Sequence, residues 1–118
     1  MRSGSLEERL SYQGLQFPLA QCHVEIGAAR LLNHKAATNF DAGLPYSNEA
    51  NAAKLIAAQA VARATERAMQ TMGGMGYAKE YHVERLWRDA RLFRFAPVSE
   101  EMLLNYVAMH ELGMPRSY

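Results

Sequence analysis

The side chains that could do chemistry in this chain are few and dispersed. Four histidines, His23, His34, His82 and His110, are scattered along the sequence. None stands four residues from another histidine, or beside a carboxylate pair, as a metal site on a helix requires. Cys22 and His23 are neighbours, so on a helix they point to different sides and cannot form a nucleophile–base pair. Cys22 instead falls in an apolar series and reads as a small core residue. Gly73-Gly74-Met75-Gly76-Tyr77 supports two readings. One is a helix end followed by a tight turn, and the other is bare backbone that a ligand can approach closely. It follows no strand, so it is neither a Rossmann fingerprint nor a P-loop. The charges of Glu84, Arg85, Arg88, Asp89 and Arg91 read as a solvated helix face. Their interleaving with Leu86 and Trp87 leads us to expect part of the run to be buried and paired. Met69, Met72, Met75 and Met102 suit either core filling or an adaptable binding surface. Taken residue by residue, the chain displays no active site and no metal site.

Composition bounds what these residues can belong to. At 118 residues, 49% hydrophobic and 21% charged, the chain is one globular domain and not a disordered segment. A net charge of +1, from 13 basic and 12 acidic side chains, gives no field that would gather nucleic acid. A single cysteine cannot form an internal disulfide, which fits a reducing, cytoplasmic setting. Apolar runs are only a few residues long, so neither a membrane span nor a secretory signal is expected.

The elements that must position these groups are helical. Leu15, Leu19, Cys22, Ile26, Ala29, Leu32 and Ala36 step by three or four, predicting a helix from about Tyr12 to Asp41, about 45 Å long. Pro18 lies in its first turns, and Gly43 with Pro45 ends it. Ser47 is the expected cap of a second helix running to about Met72, with Glu49 in its first turn. Its seam of Ala50, Ala53, Ala57, Ala60, Val61, Ala64 and Ala68 lets a neighbour approach closely, so it should be central. A third helix is predicted from Lys79 to Phe93, with Val83, Leu86, Trp87, Ala90 and Leu92 apolar. Ser99 should cap a fourth, with Met102, Leu103, Tyr106, Val107 and Leu112 turned inward. No segment alternates as a strand does. The fold class is all-α, an antiparallel up-and-down helical bundle.

One stretch has a longer pattern. Gln70, two residues, Gly73-Gly74, one residue, Gly76 and Tyr77 are followed by Glu80, Arg85 and Asp89 at gaps of two, four and three residues. This resembles the C-terminal signature of the acyl-CoA dehydrogenase family at every position. Gln13 to Ala20, Glu25 to Leu32, Ala53-Lys54, Arg88 to Leu92, Glu101 to Val107 and Met114 to Tyr118 are similar to it as well. The resemblance runs from about Ser11 to the C-terminus. We therefore expect residues 12–118 to form the family's C-terminal helical domain without its first helix, and residues 1–11 to be a leader or partial helix.

The resemblance implies an enzyme that binds FAD and oxidises the Cα–Cβ bond of an acyl-CoA, a carboxylate taking the α-proton while hydride leaves for the flavin. It implies reoxidation by an electron-transferring flavoprotein and assembly as a homodimer or homotetramer. It implies that Gln70, Gly73 and Gly74 meet the adenosine end of FAD across a subunit interface, and that Glu84 to Asp89 is architectural. Many relatives carry the catalytic base in a loop that here reads Phe95-Ala96-Pro97-Val98-Ser99-Glu100, with Ala96 at the base position. No catalytic residue is therefore assigned. Glu100 and Glu101 fall a turn later and are expected to begin a helix. A second branch of the family places its base on an earlier helix that precedes the matched region. On this reading the chain alone is inactive, and the gap left by the absent helix drives dimerisation or helix exchange. Two other readings fit the same residues: a free-standing, non-catalytic helical interaction protein, and a domain of a flavin-dependent oxidase or monooxygenase of the same fold.

Overall fold

The computed structural model describes residues 5–118. Helices α1 (Leu6–Leu10), α2 (Gln13–Asp41), α3 (Ser47–Met72), α4 (Gly74–Tyr77), α5 (Val83–Leu92) and α6 (Glu100–Tyr106) follow in order, and a π-helical turn (Val107–Glu111) extends α6. No strand occurs among the described residues.

The scaffold is the α2–α3 hairpin. Its helices are antiparallel, because their cross-links pair early residues with late ones: Arg67 Nη2 to the Gly14 carbonyl at 2.8 Å, Arg63 to Glu25 at 2.8 Å and Lys35 to Glu49 at 3.7 Å. Small side chains make the seam. Ala29 and Ala36 of α2 meet a face of α3 that buries Ala53 and Ala60, so the backbones approach closely; Ala58, buried too, lies on another side of α3. The α2 series is otherwise half-buried except Ile26, which is 38% exposed, and Ala57 of the predicted α3 seam is exposed. Helix α3 is central, as expected, since α2, α4, α5 and α6 all pack on it.

Pro18 shows how the fold accommodates a helix breaker. As the sixth residue of α2 it lies past the first turn, so its missing N–H deprives the Gly14 carbonyl of its i→i−4 partner. The Arg67 guanidinium, reaching across from α3, donates to that same carbonyl.

Boundaries differ from expectation in three places. Tyr46, not Ser47, precedes α3, and no side chain caps it. Helix α5 starts at Val83, since residues 78–82 are occupied by turns leaving α4. Helix α6 gives way to the π turn after Tyr106. Two expected caps are present: Gly43 has φ 70° beyond the end of α2, and Ser99 Oγ accepts from the Met102 N–H at 3.3 Å.

The bundle is open. The radius of gyration is 17.8 Å, against about 13–14 Å for a closed domain of this length. The accessible surface is 8772 Å², about 2,400 Å² above that of a typical monomer of this mass. Leu86, Trp87 and Leu92 of α5, and Met102 and Leu112 beyond it, were expected inside but lie exposed. Only Ala90 of α5 and Leu103 of α6 reach the core, because α5 and α6 touch α3 on one side and no described residue covers the other.

Candidate functional site

Two regions at opposite ends of α3 carry the residues singled out from the sequence. The first is the end of α3 with α4. Gln70 is exposed, and its side chain makes no hydrogen bond to the described residues. Gly73 has φ 66° and ψ −139°, a conformation essentially restricted to glycine, and ends α3 with its N–H on the Met69 carbonyl at 3.0 Å. Gly76 is glycine for a different reason: a Cβ there would lie 2.9 Å from the Met69 carbonyl oxygen and 3.2 Å from the Met72 Cβ. Gly74 has neither reason. Its φ is ordinary, and a Cβ would meet no atom within 4 Å. Gly73 and Gly76 thus serve the fold, whereas Gly74 is exposed and answers to neither need.

Beside this turn, Trp87 of α5 is fixed by its indole N–H, which donates to Glu66 Oε2 at 2.5 Å. Glu66, Met69, Tyr77, Lys79, Glu84, Trp87 and Arg88 surround a cleft of about 430 Å³. Of the charged run, Glu84 is half-buried, but the expected pairing is not found. Arg85, Arg88 and Asp89 are exposed, and none of the three ion pairs among the described residues includes them. Arg91 instead stacks over the Phe95 ring at 5.6 Å.

The second region is the α5–α6 connection, residues 93–99. Ala96 is half-buried and precedes Pro97 through a cis peptide bond. Arg94 and Glu100 close the connection with a bidentate pair, Nε to Oε1 at 2.8 Å and Nη2 to Oε2 at 3.0 Å, and the Glu100 N–H donates to the Arg94 carbonyl. The hydrogen bonds from Arg94 hold the Glu100 carboxyl below its ordinary pKa and raise that of Arg94. Glu100 is thus held ionised and occupied by its partner, which is the opposite of what a general base poised near neutrality needs. Lys54 of α3 reaches the same connection. Its Nζ donates to the Phe93 carbonyl at 2.7 Å and the Ala96 carbonyl at 3.2 Å, and stands 5.2 Å from the Phe93 ring centroid.

The structure does not bring these two regions together. Lys54 and Gln70 are 16 residues apart on one helix, about 24 Å along its axis. No group of histidine, cysteine or carboxylate side chains among the described residues could hold a metal ion. All four histidines are exposed, and Cys22 is half-buried and unpaired. Sequence reasoning missed Lys54, because its acceptors are main-chain carbonyls, which no side-chain pattern marks.

An all-helical domain with a glycine-rich turn closing its central helix is the architecture of a known class. The family model described as "Acyl-CoA dehydrogenase, C-terminal domain" matches residues 4–112. The chain belongs to the acyl-CoA dehydrogenase family, as its C-terminal domain. Among its relatives, acyl-CoA dehydrogenase FadE12 of Mycobacterium tuberculosis is 51% identical over 110 residues, 92% of this chain and 28% of that protein. The short-chain specific acyl-CoA dehydrogenase of Clostridium acetobutylicum is 47% identical over 81 residues, 69% of this chain and 21% of that protein. Butyryl-CoA dehydrogenase from Megasphaera elsdenii superposes with a TM-score of 0.83 at 35% identity, covering 87% of this chain and 27% of that one. A chain from the structure of the electron transferring flavoprotein of Acidaminococcus fermentans gives 0.84 at 32% identity, covering 87% and 27%. The chain therefore spans about a quarter of the length of the relatives it matches.

Proposed function

We propose that this chain is the FAD-contacting and subunit-assembling domain of an acyl-CoA dehydrogenase, which carries out α,β-dehydrogenation of an acyl-CoA thioester only together with the family's other domains. Bound FAD would accept the hydride from the β-carbon of the substrate. Gln70, Gly73 and Gly74 would hold its adenosine end from across a subunit interface. The observation that carries this reading is Gly74, a glycine that neither its backbone angles nor its neighbours require, standing near an exposed Gln70 whose amide has no partner among the described residues.

The rest of the reading follows from the same surfaces. Ala96 cannot take a proton and Glu100 is bound to Arg94, so neither supplies the base that removes the α-proton. Exposed apolar side chains such as Phe17, Val24 and Leu31 on α2 support assembly into a homodimer or homotetramer. An electron-transferring flavoprotein would reoxidise the flavin. No helix among the described residues is long and apolar enough to cross a membrane, in keeping with a cytoplasmic site of action.

Flavin occupancy tests this. In the polypeptide that joins this domain to the flavin-binding domains, Gln70→Ala should lower the ratio of flavin to protein absorbance and raise the Kd for FAD several-fold, with the helical circular dichroism unchanged. Unchanged FAD affinity would refute the assignment and favour the non-catalytic interaction protein.

A further inference from the structure

The α5–α6 connection is short, exposed at Phe95, Pro97 and Val98, and supported by little apolar contact. Such a segment opens easily unless polar bonds hold it. Two sets do. Arg94 and Glu100 tie the connection to itself, six residues apart, and so fix its curvature. Lys54 fastens the backbone of the connection itself to the body of the bundle, while the Glu100 carboxylate at its far end also meets Gln59 of α3. Its ammonium caps two carbonyls three residues apart, Phe93 and Ala96, from a helix 39 and 42 residues earlier in the chain. The head of the same side chain lies near the Phe93 ring.

We propose that Lys54 is the positioning residue of the α5–α6 connection, setting the place of Phe93–Ala96 relative to α3. That this connection borders the reacting substrate rests on the function proposed above, but the clamp itself does not. A lysine suits the task because one ammonium offers three donors that can diverge to separate carbonyls. Methionine at this position would keep the apolar stem and lose every donor.

Hydrogen exchange on the full 118-residue chain reads this directly. The Phe95, Ala96 and Glu100 amides donate to Leu92, Leu92 and Arg94 carbonyls respectively, so their exchange reports opening of the connection. In Lys54→Met these three amides should exchange at least about tenfold faster, with α2 and the rest of α3 unchanged. Lys54→Arg, which restores charge and donors, should bring most of the protection back. Unchanged exchange in Lys54→Met would overturn the proposal. So would an equal rise throughout α3 and α5, which would mean that Lys54 merely supports the bundle. Should Lys54→Met not fold, Lys54→Leu, which also has no donor, carries the same comparison at the same three amides. The outcome is separable from the flavin reading, since it is measured without FAD and does not involve Gln70.

Discussion

The contact between Arg67 and the Gly14 carbonyl can be isolated by a double-mutant cycle with Pro18. In wild type the carbonyl lacks its helical partner because residue 18 has no N–H, and Arg67 Nη2 fills the vacancy at 2.8 Å. Arg67→Met keeps most of the stem and removes the guanidinium, leaving that carbonyl to water. Gly14 is exposed, so water compensates in part and the loss should be about 1–2 kcal/mol. Pro18→Ala supplies an N–H that can donate to the same carbonyl. In the Pro18→Ala background, Arg67→Met should therefore cost less, by about 0.5–1 kcal/mol. Urea unfolding followed by far-UV circular dichroism on the four proteins gives the coupling from the midpoints, provided the slopes agree. Equal costs of Arg67→Met in the two backgrounds would show that Arg67 contributes through packing alone and that the proline plays no part in its placement.

The glycines of the α3–α4 turn should separate by cause. Gly76→Ala forces a Cβ to within 2.9 Å of the Met69 carbonyl oxygen and should destabilise by about 1–3 kcal/mol, whereas Gly74→Ala meets open space and should be neutral or stabilise by about 0.4–1 kcal/mol; thermal melts order the two, and a reversed order would refute the assignment. The Arg94–Glu100 pair should show in acid. Because the folded carboxyl titrates below its ordinary value, the pair's stabilisation is complete above the unfolded pKa of about 4.3. It is lost as pH falls through the lower, folded value. Glu100→Gln should flatten that part of the melting-temperature profile and leave the neutral-to-alkaline part parallel to wild type.

Most of the fold could be read from the sequence because helices announce themselves through local spacing. The series from Leu15 to Ala36 and the alanines of α3 fix two helices and the face each buries, and Gly43, Gly73 and Ser99 mark ends by chemistry that acts within one turn. The illegible parts depend on partners far away in sequence. Leu86, Trp87 and Leu92 have the spacing of a core face, yet they are exposed, because a pattern tells which side of a helix is apolar and not whether anything covers it. Ala57 failed in the same way. The charges of α5 were expected to pair, but the tie that forms is the Trp87 indole to Glu66, 21 residues apart, and nothing in either residue's neighbourhood marks the other.

The glycine-rich turn separates what a motif says from what a structure adds. As a spacing, Gln70 to Asp89 marks a family while giving every position equal weight. The coordinates divide it by physical need. Gly73 answers to its backbone angles, Gly76 to the Met69 carbonyl, and the exposed charges at Arg85 and Asp89 to no partner among the described residues. Gln70 and Gly74, like Arg85 and Asp89, are positions for which the fold shows no use among the described residues. A residue type that folding does not require, at a place open to the outside, is where a ligand's demand on the sequence can be told apart from the fold's own. The same reasoning applies to Lys54, whose ammonium serves not its own helix but the connection beyond it.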